Sequence, residues 1–187
     1  ANSGVLYNGV SAQRLEVDGS DLRDELGIAR RCKLAGTVGN FNTRARDPLT
    51  ICRALPELFR REKNLHFVFV GARDERQPHF FDDCQNICQQ EGIGDRVHFL
   101  GRRNDVPTIL RQLDLFVASS LLDTFGLVLV ESMMLGTPVL ATRIASFEEV
   151  SNHGEYATHF EPGDTVGLTE KAALLLSDVG QLRARSN

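Results

Sequence analysis

The chain has 187 residues, 42% of them hydrophobic, and a formal net charge of −4. That length suits one well-packed domain over 1–187 and is short for two of ordinary size. No Lys/Arg block marks a nucleic-acid-binding surface and no apolar run reaches the ~20 residues that span a bilayer, so neither nucleic acid nor direct membrane insertion is expected.

In chain order, Asn8-Gly9 marks a tight turn, and a short polar helix follows over 21–26. A core strand at 34–38 leads through a turn rich in Gly, Asn and Arg to a helix over 48–62, where Leu49, Cys52, Leu55, Leu58 and Phe59 recur at helical spacing. A strand at 66–70 ends in Gly71, a helix over 78–90 stops at Gly92, and a strand at 97–100 runs into Gly101. A short helix over 105–112 precedes a buried strand at 115–118, a polar turn at 119–124, a helix over 126–135 and a strand at 138–141. A last strand at 156–160 and an amphipathic helix over 164–177 complete the pattern. Strands separated by helices of this length pair in parallel through right-handed crossovers. The predicted fold is α/β, a doubly wound, Rossmann-like parallel sheet. Ligands of such sheets collect beyond the carboxyl ends of the strands, which here means the loops 39–47, 71–77, 101–104, 119–124 and 142–146.

Cys32, Cys52, Cys84 and Cys88 include one pair a helical turn apart, and the histidines at 66, 79, 98, 153 and 159 are too scattered to complete a zinc set. They read as reduced thiols of a cytosolic protein. His153 and His159 read as structural or exposed.

Asp123 and Glu131 bracket the start of the helix over 126–135. A helix starting near Gly126 directs unpaired N–H groups and its positive dipole end into the space beyond the preceding strand, a seat for phosphate that needs no basic side chain. The two acids then need other partners. Sugar or ribose hydroxyls suit them, because an ionised carboxylate accepts O–H donors in charge-assisted bonds.

The stretch Asp123-Thr-Phe-Gly-Leu-Val-Leu-Val-Glu131 through Gly136-Thr-Pro138-Val-Leu-Ala-Thr142 resembles the signature of the retaining GT-B glycosyltransferases of family 4, the glycosyl transferases group 1, whose usual form has two Glu separated by seven residues. The resemblance implies that Glu131 contacts the nucleotide ribose and Asp123 the hydroxyls of the transferred sugar. It places the backbone of Phe125, Gly126 and Leu127, with Thr124 beside them, at the donor phosphate. The first acid is Asp here, one methylene shorter than Glu. Gly36-Thr-Val-Gly39-Asn40-Phe41 through Arg46-Asp47-Pro48 resembles the family's first loop, where an Arg and, six residues on, a Lys clamp the diphosphate. Those positions are Asn40 and Arg46. Arg46 keeps a permanent charge, Asn40 has none, and Arg44 stands close enough in sequence to substitute.

Val97 to Gly101, followed by Arg102-Arg103-Asn104-Asp105-Val106-Pro107, resembles the family's nucleobase loop, which reads the base through its backbone and so leaves it unnamed. Gly71-Ala72-Arg73 stands where a Gly-x-Gly is usual, and Thr142-Arg143-Ile-Ala145-Ser146 through Glu149 where a Gly-Gly-x-x-Glu is common. Ser146 is a candidate hydrogen-bond donor there, and Glu149 is expected to cap or orient the loop.

The resemblance covers about 7–176 and implies the C-terminal, donor-binding half of a GT-B enzyme, with the N-terminal acceptor-binding domain outside these residues. The implied reaction moves a sugar from a nucleotide-diphosphate sugar to an acceptor hydroxyl with retention, in polysaccharide or glycolipid assembly. Asp123, Glu131 and Arg46 would be its catalytic-site residues. No cofactor or metal is implied, and the chain has no Asp-x-Asp pair. The implied location is cytoplasmic, at the inner membrane surface where the other domain docks there. The half alone would be inactive.

Two other readings share the fold. An NAD-dependent dehydrogenase would show Gly-x-Gly-x-x-Gly after the first strand with an acid about twenty residues later, but the third glycine is absent after Gly36 and Gly39. A GT-B-shaped sugar-nucleotide epimerase, or a non-catalytic nucleotide-binding module, remains the alternative. A glycosidase would need both carboxylates at one bond, whereas Glu131 is expected toward the ribose.

Overall fold

The computed structural model describes residues 9–11, 15–17 and 19–178. Asn8, half of the predicted first turn, lies outside them. The elements in order are α1 (Leu22–Glu25), β1 (Lys33–Val38), α2 (Pro48–Arg61), β2 (Leu65–Val70), α3 (His79–Gln90), β3 (Val97–Phe99), α4 (Val106–Gln112), β4 (Leu115–Ala118), α5 (Leu127–Met134), β5 (Val139–Thr142), α6 (Ala145–Val150), β6 (Thr158–Phe160) and α7 (Thr165–Ser177). A 3-10 turn, Gly94–Arg96, leads into β3. The sheet is parallel throughout, in the order β3-β2-β1-β4-β5-β6.

Alternation within the strands feeds two cores. Phe67, Phe69, Leu115 and Val117 pack on one face with Leu55 and Phe59 of α2, Cys84 of α3 and Leu168 of α7. Val68, Val70, Phe116 and Ala118 point to the other face, against Ile109 and Leu110 of α4, Leu129 of α5 and Phe147 of α6. Because both faces are covered, β4 and β5 are buried along their full length, which is why they read as unbroken apolar runs. Local signals fix the helix starts. Asp47 accepts the Thr50 N–H at 3.2 Å ahead of Pro48, and Asp164 accepts the Gly167 N–H at 2.9 Å ahead of α7.

Three features depart from the sequence-based expectation. The last strand begins at Thr158 rather than 156. The segment expected as a loop over 142–146 turns into α6 at Ala145. Cys52 packs with Cys84 and Cys88, although only the latter two are close in sequence, and donation of its S–H toward these two sulfurs, with burial, pushes the Cys52 thiol up. His159 is buried with Nε2 2.8 Å from Ser151 Oγ, and burial lowers its pKa. His153 is exposed in a left-handed turn at φ 54°.

Candidate functional site: a cleft at the switch point of the sheet

The winding of the sheet reverses between β1 and β4, which are neighbours in space and far apart in sequence. Connections leave this point in opposite directions and open a crevice at the carboxyl ends of the strands. A cavity of about 380 Å³ lies there, walled by the loops after β1 and β4 and by the start of α5. Gly39, Asn40, Arg46, Asp123, Phe125 and Gly126 are among its lining residues, and Thr124 and Leu127 also line it.

Two further openings adjoin this cavity. One is bounded by Gly39, Arg46, Arg102 and Val128, the other by Arg102, Asp105, Val128 and Glu131. All three share Val38 and Val128. The result is one trough that runs from Asp123 across the start of α5 to Glu131.

Gly126 is the N-cap of α5 at φ 79°, ψ 54°, a left-handed conformation that glycine adopts without penalty. A Cβ there would lie 2.7 Å from Cε1 of Phe147. Val130 is the first residue of this end to find a helical acceptor, the Gly126 carbonyl at 3.1 Å. The N–H groups of Leu127 to Leu129 are therefore first-turn donors with no acceptor inside the helix.

Two of the three amides expected at the phosphate are already engaged. Asp123 Oδ1 accepts the N–H of Phe125 at 3.0 Å and of Gly126 at 2.8 Å. The short Asp side chain closes a turn on the backbone two and three residues ahead. Free anion-binding capacity thus begins at Leu127. Glu131 is on α5, buried at 2% exposure, and borders the far end of the trough.

The loop after β1 is held from a distance. Asn40 Oδ1 accepts the Ala72 N–H at 2.9 Å, and the Phe41 N–H reaches the Ala72 carbonyl at 3.0 Å. Arg46 lies along Gly39, where an added Cβ would come within 2.4 Å of Nη1, and that nitrogen donates to the Val38 carbonyl at 3.4 Å. Arg46 therefore keeps most of its guanidinium donors for a ligand. Arg44 is exposed and is not among the lining residues of the trough.

The two loops are tied together: Asp47 N–H to Ser119 carbonyl at 3.0 Å, and Leu121 N–H to Ala45 carbonyl at 2.7 Å. Gly101, at φ 64°, accepts the Gly71 N–H at 2.9 Å and so shapes the base-side loop. Arg103 is consumed by Glu25 at 2.6 Å and Asp105 at 2.7 Å, with its pKa raised by those bonds, which leaves Arg102 exposed at the trough. Arg73 is likewise held by Asp82 at 2.9 Å.

Three contributors, Thr142, Phe147 and Ser119, were not singled out in the sequence, and Ser146, expected as a donor, has a different acceptor. Thr142 Oγ1 accepts the Ser120 N–H at 3.0 Å and donates to the Ser120 carbonyl at 2.8 Å. Ser146 Oγ donates to the Asp123 carbonyl at 2.8 Å rather than facing a phosphate. Phe147 closes over Gly126. Ser119 lines the cavity, and its buried hydroxyl has no hydrogen-bond partner among the described residues. Small hydroxyl residues at strand ends carry no signal of such contacts in sequence. Glu149 is exposed on α6. Among the described residues no group of three His, Cys, Asp or Glu is placed to hold a metal ion, and no helix is long and apolar enough to cross a membrane.

Comparison with known proteins agrees with this fold. N-acetyl-alpha-D-glucosaminyl L-malate synthase of Bacillus anthracis is 31% identical over 161 residues, 86% of this chain and 40% of that protein. Anabaena HepE, solved in complex with UDP, superposes with a TM-score of 0.87 at 24% identity over 98% of this chain and 50% of that one. The C-terminal domain of a glycosyl transferase group 1 protein, LpcC of Francisella tularensis, gives a TM-score of 0.80 at 21% identity and is covered over 92% of its length. The chain spans about half the length, or less, of the full-length relatives it matches. The family model described as glycosyl transferases group 1 matches residues 32–178, and the chain belongs to that family, with a GT-B, Rossmann-like fold.

Proposed function

We propose that residues 1–187 form the nucleotide-sugar donor-binding domain of a retaining, family 4 glycosyltransferase. The observation that carries the reading is the continuous trough over the start of α5, with Asp123 at one end, Arg46 and the free helix amides in the middle, and Glu131 at the other. A nucleoside diphosphate sugar has the same order of parts. Its sugar hydroxyls would meet Asp123, the diphosphate the amides from Leu127 onward and Arg46, and the ribose Glu131, with the base against the loop of Gly101 and Arg102.

Departure of the diphosphate builds negative charge on its oxygens. The α5 amides and the Arg46 guanidinium are fixed before that charge develops, so they stabilise it without reorganising. No metal takes part in this reading. That HepE was solved with UDP supports a uridine donor as the first to test. The acceptor, and the contacts that complete transfer to its hydroxyl, would come from an N-terminal domain of the parent enzyme, which would also carry any membrane association of this cytoplasmic protein. The chain alone would bind donor without transferring sugar.

Calorimetric titration with UDP, GDP and ADP, each free and as its sugar conjugate, tests the reading. One base should bind, and Glu131→Gln should weaken that binding about tenfold, the loss expected for a charge-assisted hydrogen bond. Binding of NAD with none of the three diphosphates would overturn it.

A further inference from the structure

The segment that ends β5 and starts α6 touches the loop after β4 at three points along its course. Thr142 Oγ1 holds both the N–H and the carbonyl of Ser120 at the loop's entry. Ser146 Oγ holds the Asp123 carbonyl at its middle, 2.8 Å away. Phe147 packs where a Cβ on Gly126 would be, at the loop's exit. Between these anchors Asp123 Oδ1 closes the turn onto the Phe125 and Gly126 amides. Both hydroxyl residues are removed from bulk water, Thr142 fully and Ser146 in part, so their bonds have weak competition from solvent.

We propose that the Thr142–Phe147 segment is a brace that sets the geometry of the donor loop, with Ser146 as a positioning residue for diphosphate binding and the Asp123 carboxylate closing the loop that Ser146 holds. This inference rests on the donor-binding reading above. It goes further by assigning donor affinity to a residue that touches no donor atom. It also separates this chain from one with Glu at position 123, because a longer side chain cannot make the same tight turn onto amides two and three residues away.

Two measurements on the full chain test it. Hydrogen exchange reads the brace with no ligand present: Ser146→Ala should speed exchange of the Phe125 and Gly126 amides at least about fivefold, the loss of one partly buried hydrogen bond, and Ser146→Thr should restore most of the protection. Calorimetry with UDP reads the consequence. Ser146→Ala should weaken UDP about fivefold or more, with recovery in Ser146→Thr, and Asp123→Asn should bind UDP more tightly than Asp123→Glu, because Asn keeps the acceptor that closes the turn.

Unchanged amide exchange in Ser146→Ala, or UDP affinity that follows only the drop in thermal stability and is not recovered by Thr, would overturn the brace while leaving donor binding intact. The opposite order of the Asp123 variants would strip that residue of its loop-closing role. If the wild-type chain bound none of UDP, GDP and ADP, both readings would fall together.

Discussion

In the loop after β4, Asp123 reaches amides two and three residues ahead, and the shape of the turn is written within four residues. In the loop after β1, Asn40 reaches 32 residues along the chain to Ala72, and Arg46 takes its course from the absence of a side chain at Gly39. The two walls of one cleft are thus built on different scales. The turn of the β4 wall is closed by its own residues and braced from β5 and α6, whereas the β1 wall requires β2 and its loop to be in place. The proposed diphosphate clamp draws on both walls and needs the complete sheet, which would couple donor binding to global folding.

The sharpest way to break the distant wall without touching the local one is Gly71→Ala. Its Cβ would sit 2.1 Å from the Gly39 carbonyl oxygen, and main chain on both sides leaves no rotamer to relieve the clash. Overpacking of this kind should cost about 3 kcal/mol of unfolding free energy, read by chemical denaturation, with UDP affinity lost at temperatures where the variant stays folded.

Asn40→Ala is milder. It removes one hydrogen bond to the Ala72 amide and should cost about 1 kcal/mol, while amide exchange at Phe125 and Gly126 stays as in wild type. Coupled loss of protection there would show that the backbone ties at Asp47–Ser119 and Leu121–Ala45 carry the disturbance from one wall to the other.

A smaller effect comes from outside both walls. His66 Nδ1 and His98 Nε2 lie 3.1 Å apart on β2 and β3, with stacked rings. Burial lowers the pKa of each, helped by Arg96 at His66 and by His66 at His98, and opposed by Asp95. The fold therefore favours neutral imidazoles. As pH falls below ~6.5 the unfolded chain takes up protons that these histidines, and buried His159, resist, so stability present above that pH is lost below it. Thermal unfolding should shift down between pH 7.5 and 5.5, and His98→Asn should remove part of the shift with no change in UDP affinity.

The same contrast of scale explains what was legible in the sequence. Buried runs such as Leu115–Ala118 announce central parallel strands, and Asp47-Pro48 or Gly126 announce helix starts, because the causes lie within a few residues. The α6 helix was not legible. It is six residues long and its N-cap, Ile144, makes no side-chain hydrogen bond, so tertiary packing of Phe147 sets it rather than propensity. Resemblance pointed to the acids and Arg46 but placed Phe125 and Gly126 as phosphate donors, since Asp123's preference for its own backbone emerges only from the turn geometry. The roles of Asn40, Thr142 and Ser146 depend on partners 32, 22 and 23 residues away, a separation that no local pattern encodes.

The most direct test of the central claim is amide chemical-shift mapping of UDP on the isotopically labelled chain. The largest changes should fall on Leu127, Val128, Gly39 and Arg46, with Glu131 next, along the trough. Saturable binding with its largest changes at the opposite end of the sheet, around Met134 and Tyr156, would contradict it.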